Sequence, residues 1–139
     1  MRVEFNYPNY RDIPPCEIPD DRLIGVYRPQ TLPDIDEPRV LETGFQLPYE
    51  APVLNRAVGP HDRVLIIIDD ASRGTPVAKI LPYVLAELAA AGTPDDHVQF
   101  LTAQGTHRRI TDDELRLKLG EFHGRFEIHQ HDWKDESLM

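Results

Sequence analysis

Residues 64–76 read Val64-Leu-Ile-Ile-Ile-Asp69-Asp70-Ala71-Ser72-Arg73-Gly74-Thr75-Pro76. The apolar run Val64–Ile68 is typical of a buried strand, and the polar residues after it favour a turn before a helix. The same order recurs downstream, where the predicted strand Val98–Ala103 leads into Gln104-Gly105-Thr106-His107-Arg108 and another helix. A strand–helix–strand unit normally has parallel strands and a right-handed crossover. The sequence therefore predicts an α/β fold with a Rossmann-like parallel sheet and flanking helices.

The two polar turns are predicted to lie at the same edge of this sheet. Parallel strands end at one edge, which is where open α/β sheets bind their ligands. Adjacent strands are only about 4.8 Å apart. An acid, an arginine and a histidine, namely Asp70, Arg73 and His107, should therefore converge there in a partly open concave surface.

Helix signals follow both turns. Thr75 is a suitable cap and Pro76 a suitable first residue for a helix whose apolar stripe runs from Ile80 to Leu88. Pro82 predicts either a kink or a regular helix that begins near Pro82. Thr111–Glu114 is a capping-box sequence, and the helix after it should end at Gly120. The alternation of Arg125–His129 predicts a third strand of the sheet.

The first 60 residues differ from the remainder and are rich in proline. Val3–Tyr7 and Leu23–Tyr27 are predicted to form a β-hairpin, and residues 33–38 to form turns or extended loop. We expect residues 1–60 to be a hairpin and wrapping arm within the same domain as an α/β core over residues 61–139.

Composition excludes several classes of protein. A net charge of −9 argues against a nucleic-acid surface, which needs clustered basic residues. The longest apolar run, Val64–Ile68, is too short to span a bilayer. Cys16 is the only cysteine, and the first residues do not have the pattern of a signal peptide. We expect a cytoplasmic protein that binds neither nucleic acid nor membrane.

Arg73 and His107 are the candidates for chemistry. Arg73 lies where helix amides favour an anion, and its guanidinium can bind a carboxylate or phosphate through two hydrogen bonds. The small residues Ala71, Ser72 and Gly74 let a ligand approach the backbone. Alternatively, Arg73 pairs with Asp69 or Asp70 and only fixes the turn. An imidazole such as that of His107 can exchange protons at neutral pH, although a loop histidine is often ordinary surface.

Other polar groups support function less well. Asp69-Asp70 is similar to the acidic pocket of phospho-receiver domains, but the further strand-end aspartate and lysine of that pocket are missing. His129 and His131, with Asp132 beside them, would share one side of a strand as metal ligands sometimes do. They lack a third ligand in a clear motif, so we predict no metal site. His61, His97 and His123 have no supporting context.

Together these motifs make the chain resemble the amino-terminal domain of lactate racemases that use a nickel-pincer nucleotide cofactor. The resemblance runs from about Leu47 to the end and more weakly from the start. The combination of the Asp-x-x-Arg turn with the later Gly-Thr-His-Arg turn is fairly specific. The departures are Gly74 and Arg109, which stand where the family usually has proline. The matching segments are residues 68–76, 79–82, 103–108, 111–114, 119–120 and 131–132.

The resemblance implies a reaction and roles for particular residues. In that family the nickel takes a hydride from the α-carbon of a 2-hydroxy acid while a histidine removes the hydroxyl proton. The keto acid then receives the hydride on its other face. His107 matches one of two acid/base histidines, and Asp70, Ala71, Ser72 and Arg73 match the turn that contacts the cofactor.

The resemblance also implies that the active site is incomplete in this chain. The family's second histidine, its cofactor-tethering lysine and its nickel-ligating histidine belong to sequence beyond Met139. We therefore expect these 139 residues to be inactive alone and to need the family's absent C-terminal domain or a partner chain. The alternative function is a non-catalytic module that binds a small anion, phosphate or carboxylate, through Arg73 and the start of the helix.

Overall fold

The computed structural model describes residues 1–4, 12–28, 30 and 33–135, which form two compact units, Met1–Ile35 and Asp36–Met139. In the first unit, β1 (Arg2–Val3) pairs antiparallel with β2 (Cys16–Glu17). The predicted N-terminal hairpin is therefore confirmed, but its second strand is not Leu23–Tyr27. That segment has no ladder partner among the described residues, and Ile24 is 98% exposed. Residues 5–7 of the predicted first strand lie outside the residues that the structure describes.

The second unit contains the predicted parallel sheet. Its strands are β3 (Val64–Asp69), β4 (Val98–Ala103) and β5 (Glu127–Gln130), in the order β3-β4-β5. β3 and β4 pair in full register, so that the last residue of β3, Asp69, lies beside Ala103 at the end of β4. Both polar turns consequently start at the same edge, as predicted. β5 starts two residues later than expected.

The described residues of this unit form four α-helices: α1 (Glu37–Gln46), α2 (Leu54–Ala57), α3 (Val77–Ala90) and α4 (Asp112–Leu119). The predicted capping box of α4 is confirmed, because the Thr111 hydroxyl accepts from the Glu114 amide while Glu114 reaches back to Thr111. Gly120 follows with a φ of 60°, a conformation that suits glycine at a helix end.

The predictions for the starts of two helices, α1 and α3, are wrong in part. α1 lies partly in residues 33–38, where turns or loop were expected, because Pro38 falls in its first turn and Asp36 caps it by accepting from the Arg39 amide. α3 begins at Val77 and contains Pro82, so the alternative in which the regular helix begins near Pro82 is wrong, whereas a kink at Pro82 stays a prediction. Thr75 does not cap α3, since its hydroxyl donates to the Asp69 carboxylate instead.

One face of the sheet packs on α3 and α4 and forms the core. On the other face, Leu65 and Ile67 of β3 are 51% and 64% exposed. None of the helices among the described residues is both long and apolar enough to cross a membrane. Because α3 and α4 pack on the sheet through this core, the core fixes the position of the sheet edge at which the two turns begin. Its buried apolar residues are Ile68, Val77, Leu81, Leu88, Val98, Phe100, Ile110, Leu115 and Leu119.

Candidate functional site

The turn after β3 brings Asp70 and Arg73 to the carboxyl edge of the sheet. The Arg73 amide donates to the Asp70 carbonyl oxygen at 3.0 Å, which closes the turn. Asp69, the last residue of β3, forms an ion pair with Lys118 of α4 at 2.5 Å. β3 fixes where the turn begins, and α4 contacts the start of the turn through Lys118.

The turn after β4 brings His107 to the same edge. The His107 amide donates to the Gln104 carbonyl oxygen at 3.0 Å, and Gly105 takes a φ of +58°, which glycine adopts without steric cost. Gln104 is 3% exposed and ties the turn down, because its side-chain amide donates to the His131 carbonyl oxygen at 2.6 Å. Its amide oxygen accepts from the Thr102 hydroxyl.

Asp70 and His107 are in direct contact across the two turns. The distance from Nδ1 of His107 to Oδ2 of Asp70 is 2.7 Å. The Asp70 side chain is 10% exposed, whereas that of His107 is 56% exposed. A carboxylate only accepts hydrogen bonds, so an ionised Asp70 requires the proton to be on Nδ1. This tautomer leaves Nε2 of the exposed imidazole with a free lone pair for proton exchange.

Asp70 is held in the ionised form that this arrangement needs. Burial on its own raises the pKa of the Asp70 carboxyl, but hydrogen bonds from Ser72, His107 and backbone amides outweigh it and lower the pKa to about 2. The Ser72 hydroxyl and the Ser72 amide both donate to Oδ2. Asp70 is therefore an anion at neutral pH and orients the imidazole beside it.

Arg73 lies exposed on the same turn and makes no ion pair with any acid among the described residues. The alternative in which Arg73 pairs with Asp69 or Asp70 is therefore wrong. Asp69 pairs with Lys118 and Asp70 with His107, so both acids are already occupied. The guanidinium remains available to an external anion at the carboxyl edge of the sheet.

Lys118 is the site residue that sequence reasoning missed. It is 8% exposed, and its ammonium donates to the carbonyl oxygen of Asp70 at 2.9 Å in addition to its ion pair with Asp69. The available signal is its spacing from Leu115, three positions earlier in the same helix. Residues three and four apart share one side of a helix, so this lysine falls on the buried stripe.

A surface cleft of about 270 Å³ lies beside His107, between the second turn and the residues after β5. Arg109, His131 and Trp133 line it together with His107. Arg109 reaches Asp132 at 3.5 Å. The described part of the chain contains no cluster of three His, Cys, Asp or Glu side chains able to hold a metal, and His129 lies 3.5 Å from Glu127 of its own strand.

Comparison with known proteins gives a family match and similar solved structures. Residues 11–139 match the lactate racemase N-terminal domain family. The structure of lactate racemase apoprotein from Thermoanaerobacterium thermosaccharolyticum is similar over 85% of this chain and 27% of that chain, at 25% identity and a TM-score of 0.67. A crystal structure of a Thermotoga maritima protein covers 60% of this chain and 21% of that chain, at 24% identity and a TM-score of 0.49.

This chain thus spans about a quarter of the length of the solved lactate racemase. No curated protein sequence is detectably similar to it. The family match includes β3, β4 and β5 together with both turns of the site. The chain belongs to the lactate racemase N-terminal domain family.

Proposed function

We propose that this chain supplies the cofactor-contacting turn and one acid/base histidine of a 2-hydroxy-acid racemase or epimerase. The observation that carries the proposal is the 2.7 Å contact between His107 and the buried carboxylate of Asp70, on the sheet edge that also carries Arg73. An exposed imidazole with a buried carboxylate behind it is the arrangement of a general base. Family membership supports assigning it to hydroxy acids.

His107 has the properties of the group that moves the hydroxyl proton. Nε2 accepts the proton from the substrate hydroxyl, and the imidazolium that forms is stabilised by the Asp70 carboxylate on Nδ1. In the reverse direction the same nitrogen returns the proton to the keto oxygen. Asp70 keeps its charge throughout because the pKa of its carboxyl is low, so the proton stays on the imidazole.

The residues of the first turn fit a phosphate-bearing cofactor. Arg73 offers a guanidinium that no described acid occupies, and Ser72 and Gly74 beside it are small and exposed. An added Cβ at Gly74 would meet no heavy atom within 4 Å, so there is open space beside the backbone. Asp70, Ala71, Ser72 and Arg73 would hold a nickel-pincer nucleotide, which supplies the hydride-accepting centre when it is bound.

The rest of the active site is proposed to lie outside this chain. The solved lactate racemase is much longer than the region that matches here. We propose that a C-terminal domain or partner chain brings the second histidine, the tethering lysine and the nickel-ligating histidine. The 139-residue chain alone should then neither bind nickel tightly nor racemise a hydroxy acid, since nickel prefers nitrogen and sulfur donors in a fixed geometry.

The test uses the complete, cofactor-loaded protein with lactate and longer 2-hydroxy acids that carry deuterium at the α-carbon. The expected result is interconversion of the two enantiomers of one such acid with the deuterium retained, because a hydride does not exchange with water. Loss of the deuterium to solvent would contradict hydride transfer. Failure to interconvert any 2-hydroxy acid would contradict the racemase assignment.

A non-catalytic anion-binding module remains the second candidate, and the exposed guanidinium of Arg73 favours it. Calorimetric titration of the 139-residue chain with inorganic phosphate and with lactate separates the two functions. A module should bind one of these anions in the isolated chain and lose that binding in Arg73→Gln. An enzyme fragment should bind neither tightly, because one wall of its site is missing.

A further inference from the structure

The ammonium group of Lys118 is buried beneath the first turn and contacts three of its oxygen atoms. It pairs with Oδ1 of Asp69 at 2.5 Å and donates to the carbonyl oxygen of Asp70 at 2.9 Å and to that of Arg73 at 3.5 Å. An ammonium has three N–H donors, of which two have carbonyl acceptors in the turn, while the Asp69 carboxylate adds the ion pair. Lys118 therefore contacts the end of the strand and both ends of the turn.

This lysine occupies a place where an apolar side chain would be expected. Leu115 and Leu119 on the same side of α4 are 7% and 1% exposed and belong to the core. Removing an ammonium from water is costly unless its hydrogen bonds are replaced, whereas a leucine or methionine would have no such cost. Packing alone gives no reason for a charge here, and the three oxygen contacts do.

The contacts connect Lys118 to His107 through Asp70. The carbonyl group of Asp70 accepts from Lys118, and the carboxylate of the same residue accepts from His107. The main-chain position of Asp70 sets where its carboxylate lies. A movement of this turn by about 1 Å would lengthen the 2.7 Å contact beyond hydrogen-bond range.

We propose that Lys118 is a positioning residue, which locks the Asp69–Arg73 turn so that Asp70 holds His107 in the tautomer protonated at Nδ1. The consequence for catalysis rests on the proposed function, whereas the effect on the tautomer does not. Lys118 touches neither the substrate region nor the imidazole, so it acts only through the turn.

The test compares the 139-residue chain with its Lys118→Met variant by nuclear magnetic resonance. Imidazole ¹⁵N shifts report the tautomer of His107, and the carboxyl ¹³C shift reports the titration of Asp70. In the variant we expect a mixture of tautomers. We also expect the pKa of Asp70 to rise from about 2 toward its ordinary 3.8, because its hydrogen bonds loosen. Lys79→Met, which removes an exposed ion pair with Glu37, should change neither signal.

A purely structural role would lower the melting temperature of Lys118→Met and leave both signals of the folded protein unchanged, which would overturn the proposal. If that variant does not fold, Asp69→Asn provides the second test. Asp69 is partly exposed, and its change to Asn removes the ion pair while an amide oxygen remains to accept from the Thr75 hydroxyl. The turn should therefore loosen, and the same two signals should move less. Unchanged signals in Asp69→Asn would then overturn the proposal. Neither readout depends on racemase activity.

Discussion

The two turns at the carboxyl edge of the sheet occupy equivalent places in the fold but are supported in different ways. Charged groups hold the turn after β3, where Lys118 pairs with Asp69 beneath the backbone. Neutral groups hold the turn after β4, where buried Gln104 bonds to Thr102 and to the His131 carbonyl oxygen. The first turn should therefore respond to pH and the second should not. The two supports meet at the contact between Asp70 and His107.

The largest expected effect comes from changing His107, the exposed partner in the contact with Asp70. In the complete enzyme, His107→Ala should lower kcat by about 10² to 10⁴, the usual range for loss of a general base. Cofactor loading should persist, since the first turn is unchanged. The measurement is racemisation rate together with the absorbance of the bound cofactor.

His97→Ala is the matched control, because His97 precedes β4 at the opposite edge of the sheet, where its ring contacts the Asp62 carbonyl oxygen. This variant should keep nearly full activity. If His107→Ala racemises at a near-normal rate, the acid/base role belongs to another residue.

The next largest effect tests the neutral support of the second turn. Gln104→Ala leaves the His131 carbonyl oxygen without the Gln104 amide. The buried Thr102 hydroxyl loses its bond to Gln104 and keeps a longer, 3.5 Å contact with the His129 carbonyl oxygen. Loss of these two hydrogen bonds should lower the free energy of unfolding by about 2 kcal/mol. Urea denaturation measures this loss, and it should be the same at about pH 5 and about pH 8, because no group in this support is a carboxylate or an amine.

Gln99→Ala provides the comparison on the same strand. Gln99 also joins β4 to β5 through its amide, but its partner Glu127 is exposed and water can replace the bond. We expect a loss of less than about 1 kcal/mol there. Equal losses at Gln99 and Gln104 would show that the buried network does not support the turn.

The first turn also contains the ionised carboxylate of Asp70, which predicts that the stability of the fold depends on acid. The pKa of Asp70 is about 2 in the folded protein and has its ordinary value of 3.8 when unfolded. The unfolded state then binds more protons, so this stabilisation is complete above about pH 4 and is lost as the pH falls toward about 2. For the buried side chain of Asp70, this contribution to the free energy of unfolding amounts to about 2 kcal/mol.

Denaturation of the chain and of Asp70→Asn at several pH values measures this contribution. The difference in free energy of unfolding between the two proteins should narrow by about 2 kcal/mol between about pH 5 and about pH 2. Ser72→Ala removes one hydroxyl hydrogen bond to Asp70. The difference in free energy of unfolding between Ser72→Ala and Asp70→Asn should therefore narrow less over the same pH range. A difference in free energy of unfolding that is constant with pH would mean that the fold does not stabilise the ionised carboxylate of Asp70.

The positions of the two turns could be predicted from the sequence, whereas their supports could not. The strand pattern of Val64–Ile68 and the parallel rule place both turns at one edge, so the amino-acid order alone groups Asp70, Arg73 and His107. Two partners of Asp70, Lys118 and His107, lie 48 and 37 positions away along the chain. Local patterns carry no information about such pairings, and lysine is usually assigned to the surface.

The wrong predictions concern elements with short or ambiguous local signals. β2 has two residues, too few to show an alternating pattern. Leu23–Tyr27 has that pattern but pairs with no described strand, because pairing depends on the register of the hairpin and not on the segment itself. Pro38 is as typical of a loop as of the first turn of a helix, and in α1 it lies in the first turn.

The smallest expected effect compares the glycines of the two turns. Gly105 in the second turn has a φ of +58°, and a Cβ there would meet no heavy atom within 4 Å, so any cost of Gly105→Ala comes from the backbone alone. An L-residue in this conformation should cost about 1 kcal/mol of unfolding free energy. Gly74 in the first turn has equal space but no positive φ, so Gly74→Ala should stabilise by about 0.5 kcal/mol through the unfolded state. Thermal denaturation of both variants measures the contrast, and stabilisation by Gly105→Ala would show that the second turn does not need its left-handed residue.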